Sequence, residues 1–105
     1  MWKVNGPDLQ MTDGDFGLTL PIAISGAELT SADSIRITIR RTLDGSALID
    51  RDLTPTDNTV EFTLSKEESA RFAPGKYVYA LDWYRSGSMM CNIIPIGNFK
   101  VVDKV

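Results

Sequence analysis

Residues Ile35-Arg36-Ile37-Thr38-Ile39-Arg40 alternate a branched aliphatic side chain with a charged or hydroxyl one at every step. An extended strand sends successive side chains to opposite faces, so this segment has one apolar face and one wet face. A helix would turn Ile37 away from Ile35 and Ile39. The pattern calls for a sheet covered on one side and open to water on the other, as antiparallel sheets are.

The same period recurs along the chain. After a turn at Thr12-Asp13-Gly14-Asp15, the residues Phe16, Leu18, Leu20, Ile22 and Ile24 share one face of a long strand. Pro21 lies on its other face and has no N–H to give a ladder, so the strand is an edge or is bulged there. Leu43-Asp44-Gly45-Ser46 reads as a tight turn with Gly45 at positive φ, followed by a short strand from Ala47 to Leu53. Val60, Phe62 and Leu64 form the inner face of the next strand. Ser65 to Phe72 is the one helical candidate, with Ser65 as N-cap and Glu68 completing a capping box, stopped by Pro74-Gly75. Lys76 to Arg85 is a strand with Tyr77, Tyr79, Leu81 and Trp83 on one face. Ser86-Gly87-Ser88 turns into Met89 to Ile94, Pro95-Ile96-Gly97 breaks or bends the chain, and Phe99 and Val101 face inward in a final strand. With a short strand at Asp8 to Met11, these segments make seven or eight strands. Short strands at regular spacing imply an all-β, immunoglobulin-like two-sheet sandwich with one short helical crossover.

A chain of 105 residues forms one domain, 1–105. A domain of this size buries roughly two-thirds of the surface its unfolded chain exposes, so its core is thin. With 24% charged residues but a net charge of only −3, and with Arg40-Arg41 as the one adjacent basic pair, no partner nucleic acid or acidic membrane is implied. The amino terminus lacks the apolar run of a signal peptide, and nothing approaches the roughly 20 apolar residues of a membrane span. The chain is expected to be made in the cytoplasm and to be soluble.

Catalytic chemistry finds little to stand on. The absence of histidine excludes Ser-His-Asp and Cys-His arrangements and His-ligated zinc. The lone Cys91 excludes an intrachain disulfide, a thiolate metal cluster and a redox pair, and its sequence neighbours include no base to activate it. Asp13-Gly14-Asp15 lacks the rest of a calcium loop and reads as a turn. Asp50 and Asp52 share a strand face, a spacing open to a glycosidase reading, but read as a solvated strand end. No cofactor and no enzymatic activity are expected.

Binding is better served. Trp83, Tyr84 and Arg85 combine residue types common at contact hot spots. Alternation puts Trp83 in the core and Tyr84 outside. Met89-Met90-Cys91 places one methionine and the sulfur on opposite faces, with the cysteine read as a small buried hydrophobe. Tyr77 or Tyr79 is placed to tie back to the Ser65–Phe72 crossover as a tyrosine corner. The partner-contact residues are expected to be Tyr84, Met89, Met90 and Ile93.

Four stretches carry a family likeness: Gly14-Asp15 opening an apolar strand; Ala27-Glu28-Leu29-Thr30-Ser31-Ala32-Asp33-Ser34-Ile35; Val60 to Ser69 leading to Pro74-Gly75-Lys76-Tyr77-Val78-Tyr79; and Gly97-Asn98-Phe99-Lys100-Val101. Together they resemble the small immunoglobulin-like domains of tailed-phage structural proteins, such as the amino-terminal domain of baseplate upper proteins. The resemblance implies a non-enzymatic structural or assembly protein of a phage or prophage tail or baseplate. Its partners would be other phage structural proteins or sister copies, met in the host cytoplasm and kept in the virion. Baseplate upper proteins continue into long oligomerising regions, so a chain ending at Val105 is expected to be the isolated domain. The shared residues are structural and transfer no functional role. The alternative is a stand-alone carbohydrate-binding module with Tyr84 or Trp2 as its platform.

Overall fold

Alternation becomes strand almost wherever the sequence carries it. The computed structural model describes residues 3–5, 8–25 and 28–103, and of residues 3–5 and 95 the backbone alone. Trp2 lies outside them. The elements are β1 (Lys3–Asn5), β2 (Asp8–Thr12), β3 (Thr19–Ala23), β4 (Asp33–Arg40), β5 (Ala47–Leu53), β6 (Thr59–Thr63), α1 (Lys66–Ser69), β7 (Gly75–Arg85) and β8 (Ser88–Val102). A six-stranded sheet in the order β1-β2-β8-β7-β4-β5 packs on a two-stranded sheet of β3 and β6.

The hairpins β4–β5 and β7–β8 lie in the large sheet, while β3 and β6, which precede them, pair in the small one. β2 joins the large sheet parallel to β8. This is the immunoglobulin-like arrangement of an all-β sandwich, and α1 is its single short crossover. Ser65 Oγ accepts the Glu68 N–H at 3.2 Å and Glu68 Oε1 accepts the Ser65 N–H at 3.0 Å, closing the capping box read from the sequence. The Tyr77 hydroxyl donates to the Ala73 carbonyl at 2.7 Å, so the tyrosine corner is Tyr77.

The core lies where the period predicts. Ile35, Ile37 and Ile39 are buried against Val60, Phe62 and Leu64, with Tyr77, Tyr79, Leu81 and Phe99 completing it. Gly97 sits opposite Tyr79, and a Cβ there would stand 2.3 Å from the Tyr79 ring. The ring therefore lies directly over the glycine.

Three expectations are corrected. Phe16 and Leu18 are exposed, at 51% and 46%, and the strand begins only at Thr19. Gly14 and Gly17, at φ 84° and 74°, bend the chain there, and Asp13 and Gly17 donate to the carbonyls of Val102 and Leu64. Residues 13–18 thus cross from one sheet to the other. At Pro95-Ile96-Gly97, where a break or a bend was expected, the strand is bulged and does not break. β8 runs unbroken for 15 residues and takes up its irregularities as bulges against β7 between Gly97 and Met89. Gly45 does not adopt positive φ, because the β4–β5 connection is a wider loop in which its N–H reaches the Thr42 carbonyl. Cys91 is exposed, not buried.

Two strands cannot cover six, and the sandwich has unlike side seams. Along β5 and β6, Arg51 donates from Nη1 to the Thr63 carbonyl at 2.7 Å, pairs through Nη2 with Glu68, and lies over the Phe62 ring. Along the opposite side, β3 faces Leu9, Tyr79, Leu81 and Ile94 across an open apolar cleft of about 270 Å3.

Candidate partner-contact surface

The surface is built on the β7–β8 hairpin. Ser86 and Gly87 connect the strands at φ 50° and 84°, the double positive φ of a type I′ turn whose twist matches its strands. The hairpin is held from below by Asp33. Its carboxylate accepts Trp83 Nε1 at 2.9 Å, Arg85 Nε at 2.8 Å, Arg85 Nη2 at 3.1 Å and the Thr30 N–H at 2.6 Å. The hydrogen bond from Arg85, opposed by desolvation and joined by those from Trp83 and Thr30, holds this carboxyl far below the usual carboxylate range. The Arg85 guanidinium is raised in turn, first by that same bond. A buried carboxylate with this many donors fixes the hairpin to the β3–β4 loop.

Trp83 and Arg85 are therefore spent on the clamp. Sequence reasoning missed Asp33, although Thr30-Ser31-Ala32-Asp33 carries a local signal: a threonine hydroxyl and an aspartate three residues apart form a side-chain turn. The long-range half of the clamp has no local signature.

On the outer face Tyr84 pairs with Met89 across the strands. Tyr84 is half-buried, because the Arg36 guanidinium lies 5.0 Å over its ring. Arg36 Nε bonds Asp52 Oδ1 at 3.0 Å and stands 3.6 Å from Asp50 Oδ1. The hydrogen bond to Asp52 raises the Arg36 pKa. The two aspartates flank one arginine, and one face of the Tyr84 ring is taken.

The bulges redistribute the apolar residues of β8. Met89 and Met90 are exposed, at 52% and 48%, as are Cys91 and Ile96, whereas Ile93 and Ile94 pack against the core. Cys91 lies opposite Trp83 and Met89 opposite Tyr84, on either side of a slip in register, and Met89, Met90 and Cys91 are all open to solvent. Of the expected contact residues, Met89 and Met90 are bare, Tyr84 is partly screened and Ile93 is half-buried.

No group of three or more Cys, Asp or Glu side chains among the described residues is placed to hold a metal ion. No helix among them is long and apolar enough to cross a membrane. Neither the family models nor the curated proteins include a match to this sequence.

Proposed function

We propose that this domain is a non-enzymatic structural component of a phage or prophage particle, a tail or baseplate accessory that works through protein–protein contacts. The observation that carries the reading is Met89-Met90-Cys91, a bare apolar run on a hairpin clamped at its base. Methionine adapts to varied partner surfaces. Such apolar exposure is characteristic of a contact surface, and a hairpin already fixed by Asp33 loses little freedom on docking. The likeness of the four sequence stretches to tailed-phage domains supplies the particle, the host-cytoplasm assembly and the sister-copy or tail-protein partner.

The test is incorporation into particles produced with and without the double substitution Met89→Glu and Met90→Glu, alongside Tyr84→Glu. Each variant should keep the wild-type circular dichroism and melting profile yet be depleted from purified particles by about tenfold or more. Variants that fold and incorporate at wild-type levels would end the hairpin reading. Wild-type protein absent from every particle fraction would end the particle reading.

A further inference from the structure

The small sheet ends at β3, which has no second strand neighbour among the described residues. The register fixes which backbone groups face its open side. Ile24 N–H donates to the Asn58 carbonyl and Gly17 N–H to that of Leu64. Thr59, opposite Ala23, spends both its N–H and its carbonyl on Thr56. Alternation along an antiparallel pair then makes Leu20–Phe62 and Ile22–Val60 the hydrogen-bonded pairs. Thr19, Pro21 and Ala23 therefore turn their backbone groups away from β6. That edge offers the amides of Thr19 and Ala23 and three carbonyls, with a gap at Pro21.

The apolar cleft lies against this same edge, lined by β3 and not by β6, with Leu9, Tyr79, Leu81 and Ile94 as its floor. Ile22 points inward yet stays half-buried beside it. Unpaired backbone and unfilled apolar volume are thus side by side, and one kind of occupant satisfies both. A small apolar ligand would fill the cleft and leave the amides without partners, whereas an extended chain pairs with the edge and sends every second side chain inward.

We propose that β3 and the cleft beside it bind an extended segment of a partner protein, with aliphatic side chains at alternate positions, as a third strand of the small sheet. Pro21 argues for a partner segment over a sister β3. Two β3 strands paired about a two-fold axis at Pro21 would set proline against proline and lose both central donors. A different strand meets that gap once, opposite an acceptor it can turn to water. This site is separate from the Met89–Cys91 hairpin and does not depend on it.

The probe is a synthetic peptide alternating valine with threonine and lysine, titrated into the intact domain and followed by amide hydrogen exchange and chemical shift. Binding should slow exchange at Thr19 and Ala23, leave Leu20 and Ile22 unchanged because β6 already holds them, and shift Leu9 and Ile94. Ala23→Pro removes one edge donor without touching the β6 ladder and should weaken the peptide by about tenfold. Ile94→Lys, which keeps the β3 backbone and places a charge on the half-buried floor of the cleft, should do the same should the proline variant lose its fold. No slowing at Thr19 and Ala23 up to about 1 mM peptide, the weak limit of specific binding, would overturn the proposal, as would undiminished binding by a folded Ala23→Pro. Protection of the same amides that rises with protein concentration alone would assign the edge to a second copy and overturn the choice of occupant.

Discussion

The two seams of this sandwich face the same problem with opposite results. Along β5 and β6 the gap between the sheets is bridged by Arg51, which reaches the Thr63 carbonyl, pairs with Glu68 of α1 and lies over Phe62. Arg71 extends the bridge with a 3.1 Å bond from Nη1 to the Leu48 carbonyl. Along β3 and β8 the gap is lined instead by apolar side chains. The sheets are joined at one end by the 13–18 crossover, tied by Ser69 Oγ to the Asp15 carbonyl at 2.7 Å, and beyond it the apolar cleft stays open. A seam closed by a polar clasp is finished; a seam left apolar with a bare strand edge has room for one more strand. The difference places stability on one side of the molecule and binding capacity on the other.

The severest way to break the comparison is to destroy what both seams share. Phe62 is fully buried on β6 between them. Phe62→Asp buries an unpaired charge at a cost of several kcal/mol, against a total stability of about 5–15 kcal/mol, and should leave no cooperative unfolding transition. Glu61→Lys, one residue away and exposed, should alter stability by no more than about 0.5 kcal/mol. Urea unfolding followed by circular dichroism separates the two; equal effects would mean the β6 register is wrong.

The next test separates the seams. Arg51 is only partly exposed and serves two acceptors and an aromatic face. Arg51→Ala strands the Thr63 carbonyl and the Glu68 carboxylate and should cost about 1–3 kcal/mol. Thr19→Ala on the open seam loses only an exposed hydroxyl contact to Thr63 and should stay within about 0.5 kcal/mol. The same urea curves decide it, and equal losses would show that the seams do not differ in what they contribute to folding.

The sequence made half of this contrast legible. Period-two alternation located every strand of the core, and the Ser65–Glu68 spacing located the helix, because both depend on near neighbours. Pro21 marked an edge, and β3 is one. Where the reading failed, long-range geometry had overridden the local pattern. Phe16 and Leu18 keep the alternation of a strand but sit in the crossover that two left-handed glycines bend. Pro95-Ile96-Gly97 left a break and a bend both open, and the bulged strand takes the second. Cys91 was expected to be buried, yet it lies opposite Trp83 and open to solvent, because alternation gives a side chain its face and not what covers that face. The cleft has no sequence signature, since Leu9, Leu20, Tyr79 and Ile94 meet only when the sheets stack. Asp33 was legible as a turn residue through Thr30, but its bonds to Trp83 and Arg85 span about half the chain.

The mildest test near neutral pH concerns the Asp33 clamp, which steadies the end of the molecule that carries the exposed hairpin. Asp33 is held below its ordinary pKa, chiefly by the hydrogen bond from Arg85 and against desolvation. In the unfolded chain it titrates near an ordinary value of about 3.9. A carboxyl depressed by folding stabilises the folded state fully above its unfolded pKa, and the benefit declines as pH falls towards the folded value. Glu68 is also lowered, with desolvation opposed by the Ser65 N–H and Arg51, so both clamps weaken in the same acid window while nothing changes between pH 6 and pH 8 on the order of their ordinary pKa values. Melting temperature should be flat across that neutral range and fall below about pH 4. Asp33→Asn keeps an acceptor for Trp83 but loses the charge facing Arg85. It should melt lower than wild type at neutral pH and show a shallower acid slope, because the group that titrates is gone. Glu68→Gln should flatten the same slope without loosening the hairpin. Exchange at the Trp83 indole N–H distinguishes them: faster in Asp33→Asn, unchanged in Glu68→Gln. If Asp33→Asn keeps the full wild-type acid slope, the clamp does not supply the pH dependence, and the hairpin is held by packing alone.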